Sequence, residues 1–230
     1  MAELIVALDV AESAAGIRLA NSLRGEVPWV KVGLELFTLG GPQCVGALKD
    51  MGFKVFLDLK MYDIPNTVAA AVTAAARMGV DMLTLHTQGG AEMCRAARAA
   101  LNGMTGPVPL LFGVTVLTSM AAGDLPAYTG DDLGALAVRL AGGAQAWGLD
   151  GVVCSGHEVR DIKHACPALR CLTPGIRPAS AAVGAQKRVM TPARAVAAGS
   201  DFLVVGRPIT RAAQPAQAAR DILQEMRSCL

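Results

Sequence analysis

Eight short runs of β-branched and other apolar residues alternate with longer Ala-rich segments along the chain, and no other feature limits its possible folds as strongly. The runs lie at 4–9, 29–33, 54–60, 82–86, 110–115, 151–155, 169–173 and 202–206. Helices are expected over 11–23, 43–51, 66–78, 91–101, 132–147, 158–165, 192–198 and 214–226. Gly or Pro punctuates most joins, as at Gly52, Gly79, Gly106-Pro107, Gly148 and Gly199. Strands that alternate strictly with helices pair in parallel, because each helix returns the chain to the start of the next strand. That leaves an open doubly wound sheet or a closed barrel. Eight units in 230 residues match the barrel, and no Gly-x-Gly-x-x-Gly follows the first run. The expected fold is α/β, a single (β/α)8 TIM barrel, forming one domain over residues 1–230.

Composition supports a large core, with 53% hydrophobic and 17% charged residues. The net charge of +2 gives no bulk electrostatic reason to expect a nucleic-acid or membrane partner. None of the six cysteines forms a Cys-x-x-Cys pair, and no His stands at finger-like spacing, so no zinc site is expected. The cysteines read as small buried hydrophobes in a reducing compartment. The N-terminal Met-Ala-Glu-Leu lacks the basic start of a signal peptide, and no apolar stretch is long enough to span a bilayer. A cytoplasmic protein is expected.

A barrel collects its chemistry where the strands end. Here those ends read Asp9, Lys31, Asp58 with Lys60, His86, Thr115 with Thr118, Ser155, Arg177 and Gly206-Arg207. The long irregular stretches 117–130 and 175–187 also follow strands. Residues two apart in a strand share a face, so Asp58 and Lys60 should enter the barrel mouth together, with Leu57 and Leu59 facing the helices. Lys31 on the neighbouring strand and Asp63 in the loop beyond would extend the pair to an alternating Lys–Asp–Lys–Asp array. One structural salt bridge would explain a single pair. Isolated buried pairs stabilise weakly, so four charges at a functional rim favour catalysis.

Gly206-Arg207-Pro208-Ile209 reads as a turn into a short helix after the last strand. Close backbone approach, free N–H groups and a guanidinium fork together suit phosphate oxygens, and this is the usual phosphate position in such barrels. His86 is read as a strand-end hydrogen-bonding group, His157 and His164 as surface residues, and Glu35 as an acidic helix start.

The segment Phe56-Leu-Asp58-Leu-Lys60-Met-Tyr-Asp63-Ile-Pro-Asn66-Thr67 closely resembles the signature of orotidine 5′-phosphate decarboxylases. The resemblance covers nearly the whole chain, through Ala7-Leu-Asp9, Lys31-Val-Gly, Thr115-Val-Leu-Thr118-Ser-Met, Thr173-Pro-Gly-Ile-Arg177-Pro, Gln186 and Val205-Gly206-Arg207-Pro-Ile-Thr. Asp-x-Lys-x-x-Asp alone is shared by a wider group of sugar-phosphate enzymes. The added Ile-Pro-Asn-Thr and Thr-Pro-Gly-Ile-Arg-Pro narrow the match.

The resemblance implies conversion of orotidine 5′-phosphate to uridine 5′-phosphate and CO2, the last step of pyrimidine synthesis. It implies no metal or organic cofactor, and a homodimer whose sites are completed by the partner. Lys60 would be the proton donor to C6, with Asp58 beside it, and Asp63 and Thr67 would reach into the neighbouring subunit's site. Asp9 and Lys31 would hold the ribose hydroxyls, Thr118 would lie by the pyrimidine, and Gln186, Gly206 and Arg207 would bind phosphate. Arg177 would belong to the loop closing over that phosphate. The chemistry agrees: losing CO2 from C6 leaves a poorly delocalised carbanion, which a fixed ammonium would stabilise and then protonate.

Two rival readings stand beside this one. A related keto-sugar-acid phosphate decarboxylase would use the same motif with magnesium, on Glu35 and Asp58. A non-catalytic phosphate-binding barrel would use the charge cluster only to stabilise a dimer.

Overall fold

The computed structural model describes residues 1–124, 132–178 and 188–228. Eight parallel strands close into a barrel in sequence order. They are β1 (Glu3–Ala7), β2 (Trp29–Gly33), β3 (Lys54–Met61), β4 (Met82–His86), β5 (Leu110–Val114), β6 (Gly151–Val153), β7 (Arg170–Thr173) and β8 (Phe202–Val205). Helices α1 (Ser13–Ser22), α2 (Leu34–Asp50), α3 (Pro65–Arg77), α4 (Gly90–Asn102), α5 (Leu133–Ala146), α6 (Val159–Ala165) and α7 (Pro192–Ala198) join successive strands. The short α8 (Arg207–Thr210) and the final α9 (Pro215–Arg227) follow β8. The expected α/β barrel is the fold observed. Among the described residues no helix is long and apolar enough to cross a membrane.

Alternation along each strand sorts side chains into two apolar layers. Leu4, Val6, Val30 and Val32 face the helices, whereas Ile5, Ala7, Trp29 and Phe56 fill the barrel. Aromatic residues are only 4% of the chain, and four of them, Trp29, Phe56, Phe112 and Phe202, gather inside the barrel. Trp29 and Phe112 both pack edge-on to Phe202, with centroids 5.8 Å apart in each pair. Above this plug the inward positions turn polar: Lys31 follows Trp29, Asp58 follows Phe56 and Thr84 follows Met82.

One helix differs from expectation. The segment placed at 43–51 is the second half of α2, which begins at Leu34 and bends at Gly41 (φ 51°, ψ −152°) ahead of Pro42. A proline lacks the N–H that would continue the helical ladder, so the sequence signal restarts there.

The face opposite the polar one is tied by a repeated turn. Gly79-Val80-Asp81, Gly148-Leu149-Asp150 and Gly199-Ser200-Asp201 precede β4, β6 and β8. Each glycine has positive φ, at 75°, 80° and 101°, which ends the preceding helix without Cβ strain. Each Asp Oδ2 accepts a hydrogen bond from a backbone N–H of the preceding strand, of Val55, Leu111 or Cys171, all at 2.7 Å. Each also pairs with a helix cation: Lys49 at 2.6 Å, Arg98, and Lys163 at 2.7 Å. Stability is thereby concentrated at the strand starts, away from the loops that carry chemistry.

Candidate active site

Four charges of alternating sign form a row across β1, β2 and β3. Lys31 Nζ lies 2.9 Å from Asp9 Oδ1 and 3.6 Å from Asp58 Oδ2, and Lys60 Nζ lies 2.7 Å from the same Asp58 oxygen. Lys31 and Asp58 are each 8% exposed. Parallel pairing sets this up, because Gly33 aligns with Asp58 and brings Lys31 beside the carboxylate from below. Burial alone would raise the Asp58 carboxyl. The charges of Lys31 and Lys60, with hydrogen bonds from Lys60 and Thr84, outweigh that and hold it below its ordinary value. Asp9 therefore occupies the place expected for Asp63. Asp63 is exposed, accepts a hydrogen bond from the Ile64 N–H at 2.6 Å, and makes no ion pair among the described residues.

Asp58 and Lys60 meet as expected, but not by regular alternation. The register of β3 on β4 shifts between Leu57 and Met61, and Lys60 adopts φ 50°, the only positive φ of a non-glycine residue among those described. Such a backbone costs about 1–2 kcal/mol in an L-residue and persists only where its surroundings hold it. Thr84 does so. Its buried hydroxyl accepts from the Lys60 N–H at 3.0 Å and donates to Asp58 Oδ1 at 2.9 Å. Sequence reasoning missed Thr84, although a signal was present: one polar residue at an inward position of an apolar strand, two before His86.

The row ends in a cavity of about 360 Å³, within the usual range for small-molecule sites (roughly 300–1,000 Å³). Its apolar floor includes Phe56, Val114 and Val204, Leu117 and Thr118 form one wall, and Arg177, Gly206 and Arg207 lie on the other side. Neither guanidinium pairs with a carboxylate among the described residues, and Arg177 Nε is buried without a hydrogen-bond partner. Burial, then the charge of Arg207, lowers the Arg177 pKa. Two adjacent unpaired cations beside a backbone turn suit a dianionic group.

Comparison with known proteins agrees with this geometry. Residues 2–222 match the family described as "Orotidine 5'-phosphate decarboxylase / HUMPS family". The chain belongs to that family. It is 58% identical over 231 residues to orotidine 5′-phosphate decarboxylase of Nitratidesulfovibrio vulgaris (strain DP4), covering 98% of each protein. It is 52% identical to the protein of that name from Lawsonia intracellularis (strain PHE/MN1-00), covering 98% of this chain and all of that one. A crystal structure of orotidine 5′-phosphate decarboxylase from Lactobacillus acidophilus superposes with a TM-score of 0.87 at 36% identity, covering 98% of this chain and 99% of that one. The chain is thus an enzyme of the carboxy-lyase class.

Of the residues that the family pattern implied, Asp9, Lys31, Asp58, Lys60, Thr118, Arg177, Gly206 and Arg207 line the one cavity. Asp63 and Thr67 do not. They are exposed in the β3–α3 loop and the first turn of α3, next to exposed Tyr62 and Ile64. Gln186 lies outside the described residues, as do the remainder of the 117–130 stretch beyond Asp124 and the Ala-rich 179–185 segment. His86 is half-buried and stacks on Tyr62 at 5.7 Å, with its pKa lowered by burial and then by Lys60. His157 and His164 are exposed as expected. Glu35 is exposed and does not line the cavity, and no metal-holding group of three or more His, Cys, Asp or Glu occurs among the described residues.

Proposed function

We propose that the chain converts orotidine 5′-phosphate to uridine 5′-phosphate and CO2, the last step of de novo pyrimidine synthesis, without metal or organic cofactor. One observation carries the reading: the Asp9–Lys31–Asp58–Lys60 row shares a cavity with two guanidiniums, Arg177 and Arg207, that pair with no carboxylate among the described residues. The guanidiniums, the Gly206 backbone and Gln186 hold the phosphate, whose binding energy orients the distant base. Asp9 and Lys31 take the ribose hydroxyls, and Thr118 lies by the pyrimidine. The carboxylate on C6 points toward Asp58. The C6–carboxylate bond breaks, CO2 leaves, and the electron pair stays on C6. Lys60 Nζ stabilises that charge and donates a proton to C6, and solvent reprotonates the lysine.

The active form is read as a homodimer, with Asp63 and Thr67 acting in the partner's site. Their exposure supports this, as does the apolar surface flanking Asp63, where Tyr62 and Ile64 are each more than half exposed. The barrel is read as one catalytic domain of the cytoplasm. The five described cysteines are free and buried, which suits a reducing compartment.

Incubation with orotidine 5′-phosphate and a chelator, following orotate absorbance, tests the reaction. Turnover should continue under chelation and vanish in Lys60→Ala, whose far-UV spectrum and melting should show an intact fold. An inactive wild type, a requirement for added metal, or near-normal turnover by Lys60→Ala would refute the reading.

A further inference from the structure

Glu158 is 4% exposed, at the start of α6, and burial pushes its carboxyl up while the neighbouring Arg188 charge opposes that rise. One carboxylate oxygen accepts from the Ser155 N–H at 2.9 Å, and the other is paired with the Arg188 guanidinium. The same guanidinium donates through its second terminal nitrogen to the Leu117 carbonyl at 3.2 Å. Two residues on, Met190 is stitched to the strand-seven loop: its carbonyl accepts from the Arg177 N–H at 3.0 Å and its N–H donates to the Gly175 carbonyl at 3.3 Å. One side chain therefore joins the loops after β5, β6 and β7.

Leu117, Gly175 and Arg177 line the cavity, whereas Glu158 and Arg188 do not. We propose that Glu158 and Arg188 are a positioning pair that locks the pyrimidine wall of the cavity, at Leu117-Thr118, to its phosphate wall, at Gly175–Arg177. The inference rests on the substrate reading above and assigns work to two residues that it leaves idle. Binding energy gathered at a phosphate helps a distant carbon only if the groups between them hold a fixed geometry. A buried ion pair is a weak stabiliser for its own sake. An arginine fork, however, serves a carboxylate and a carbonyl at once, which the single ammonium of a lysine does not match.

Three variants separate positioning from plain stability, each measured for melting temperature and for kcat and KM with orotidine 5′-phosphate. Arg188→Met should lower both melting temperature and kcat/KM, the latter by roughly 10- to 100-fold. The double variant Glu158→Gln/Arg188→Met removes the stranded buried charge and keeps an acceptor for the Ser155 N–H. Its melting temperature should recover while kcat/KM stays low. Arg188→Lys keeps the ion pair without the Leu117 bond, and should melt near wild type with kcat/KM down about 10-fold. Wild-type kinetics in Arg188→Met or Arg188→Lys, or kinetics that recover together with stability in the double variant, overturn the proposal. Should the double variant stay unstable, Arg188→Lys decides alone. A wild type that does not turn over orotidine 5′-phosphate refutes the substrate reading; an active wild type with unaffected variants refutes only the positioning pair.

Discussion

Thr84→Val keeps the side-chain shape and deletes the hydroxyl that serves both members of the Asp58–Lys60 pair. The hydrogen bond to the carboxylate is charge-assisted and worth about 1.5–3 kcal/mol, and the Lys60 N–H loses a neutral one of about 1 kcal/mol. Relaxation of Lys60 from φ 50° returns part of about 1–2 kcal/mol of strain. The net destabilisation is about 2–3 kcal/mol, or roughly 4–12 °C in melting temperature for a barrel of this length. The kinetic effect is larger in consequence. An ammonium displaced by about 1 Å costs roughly 100-fold in kcat, while KM, set by phosphate and ribose contacts, changes little. Steady-state loss of orotate absorbance and a thermal melt read both effects, and Thr84→Ser should restore most of kcat because its hydroxyl fills both roles. A Thr84→Val protein with wild-type kcat would show that Lys60 is held without Thr84 and would refute this role for the hydroxyl.

Mixing inactive Lys60→Ala and Asp63→Ala proteins at equal ratio should return activity at about a quarter of the wild-type level, since half of random dimers are hybrids with one intact site in two. No recovery under verified subunit exchange would place Asp63 outside a shared site. At the other face, Asp150→Ala strands the Leu111 N–H and frees Arg98, so melting should fall by about 2–3 kcal/mol equivalents with kcat unchanged; a loss confined to activity would contradict the clamp. Burial and Lys60 lower the His86 pKa from 6.5, so the folded state takes up that proton later than the unfolded one. The stability present above pH 6.5 is then lost as pH falls through that value toward the folded pKa. His86→Gln should flatten the decline of melting temperature over that window, and an unchanged slope would assign the decline to other groups.

What was legible in the sequence is what local pattern encodes. The eightfold alternation and the glycines between units specify the barrel, and polar residues at the ends of otherwise apolar strands mark its working rim. Asp58 and Lys60 were readable as a pair because they stand two apart, even though a bulge and a positive φ, not a regular pleat, bring them together. The fourth charge was misread for a related reason. Asp63 is near Lys60 in sequence, but the loop turns it outward, while Asp9 reaches Lys31 from a strand that is distant in sequence and adjacent in the barrel. Thr84, Glu158 and Arg188 follow the same rule, since each acts on residues 24 or more positions away, apart from the local Glu158–Ser155 bond. Strand ends therefore locate a barrel's chemistry, but the register between strands selects which charges meet. For this chain that register separates Asp58 and Lys60, which meet inside one barrel, from Asp63, whose exposed carboxylate fits the shared site of the homodimer proposed above.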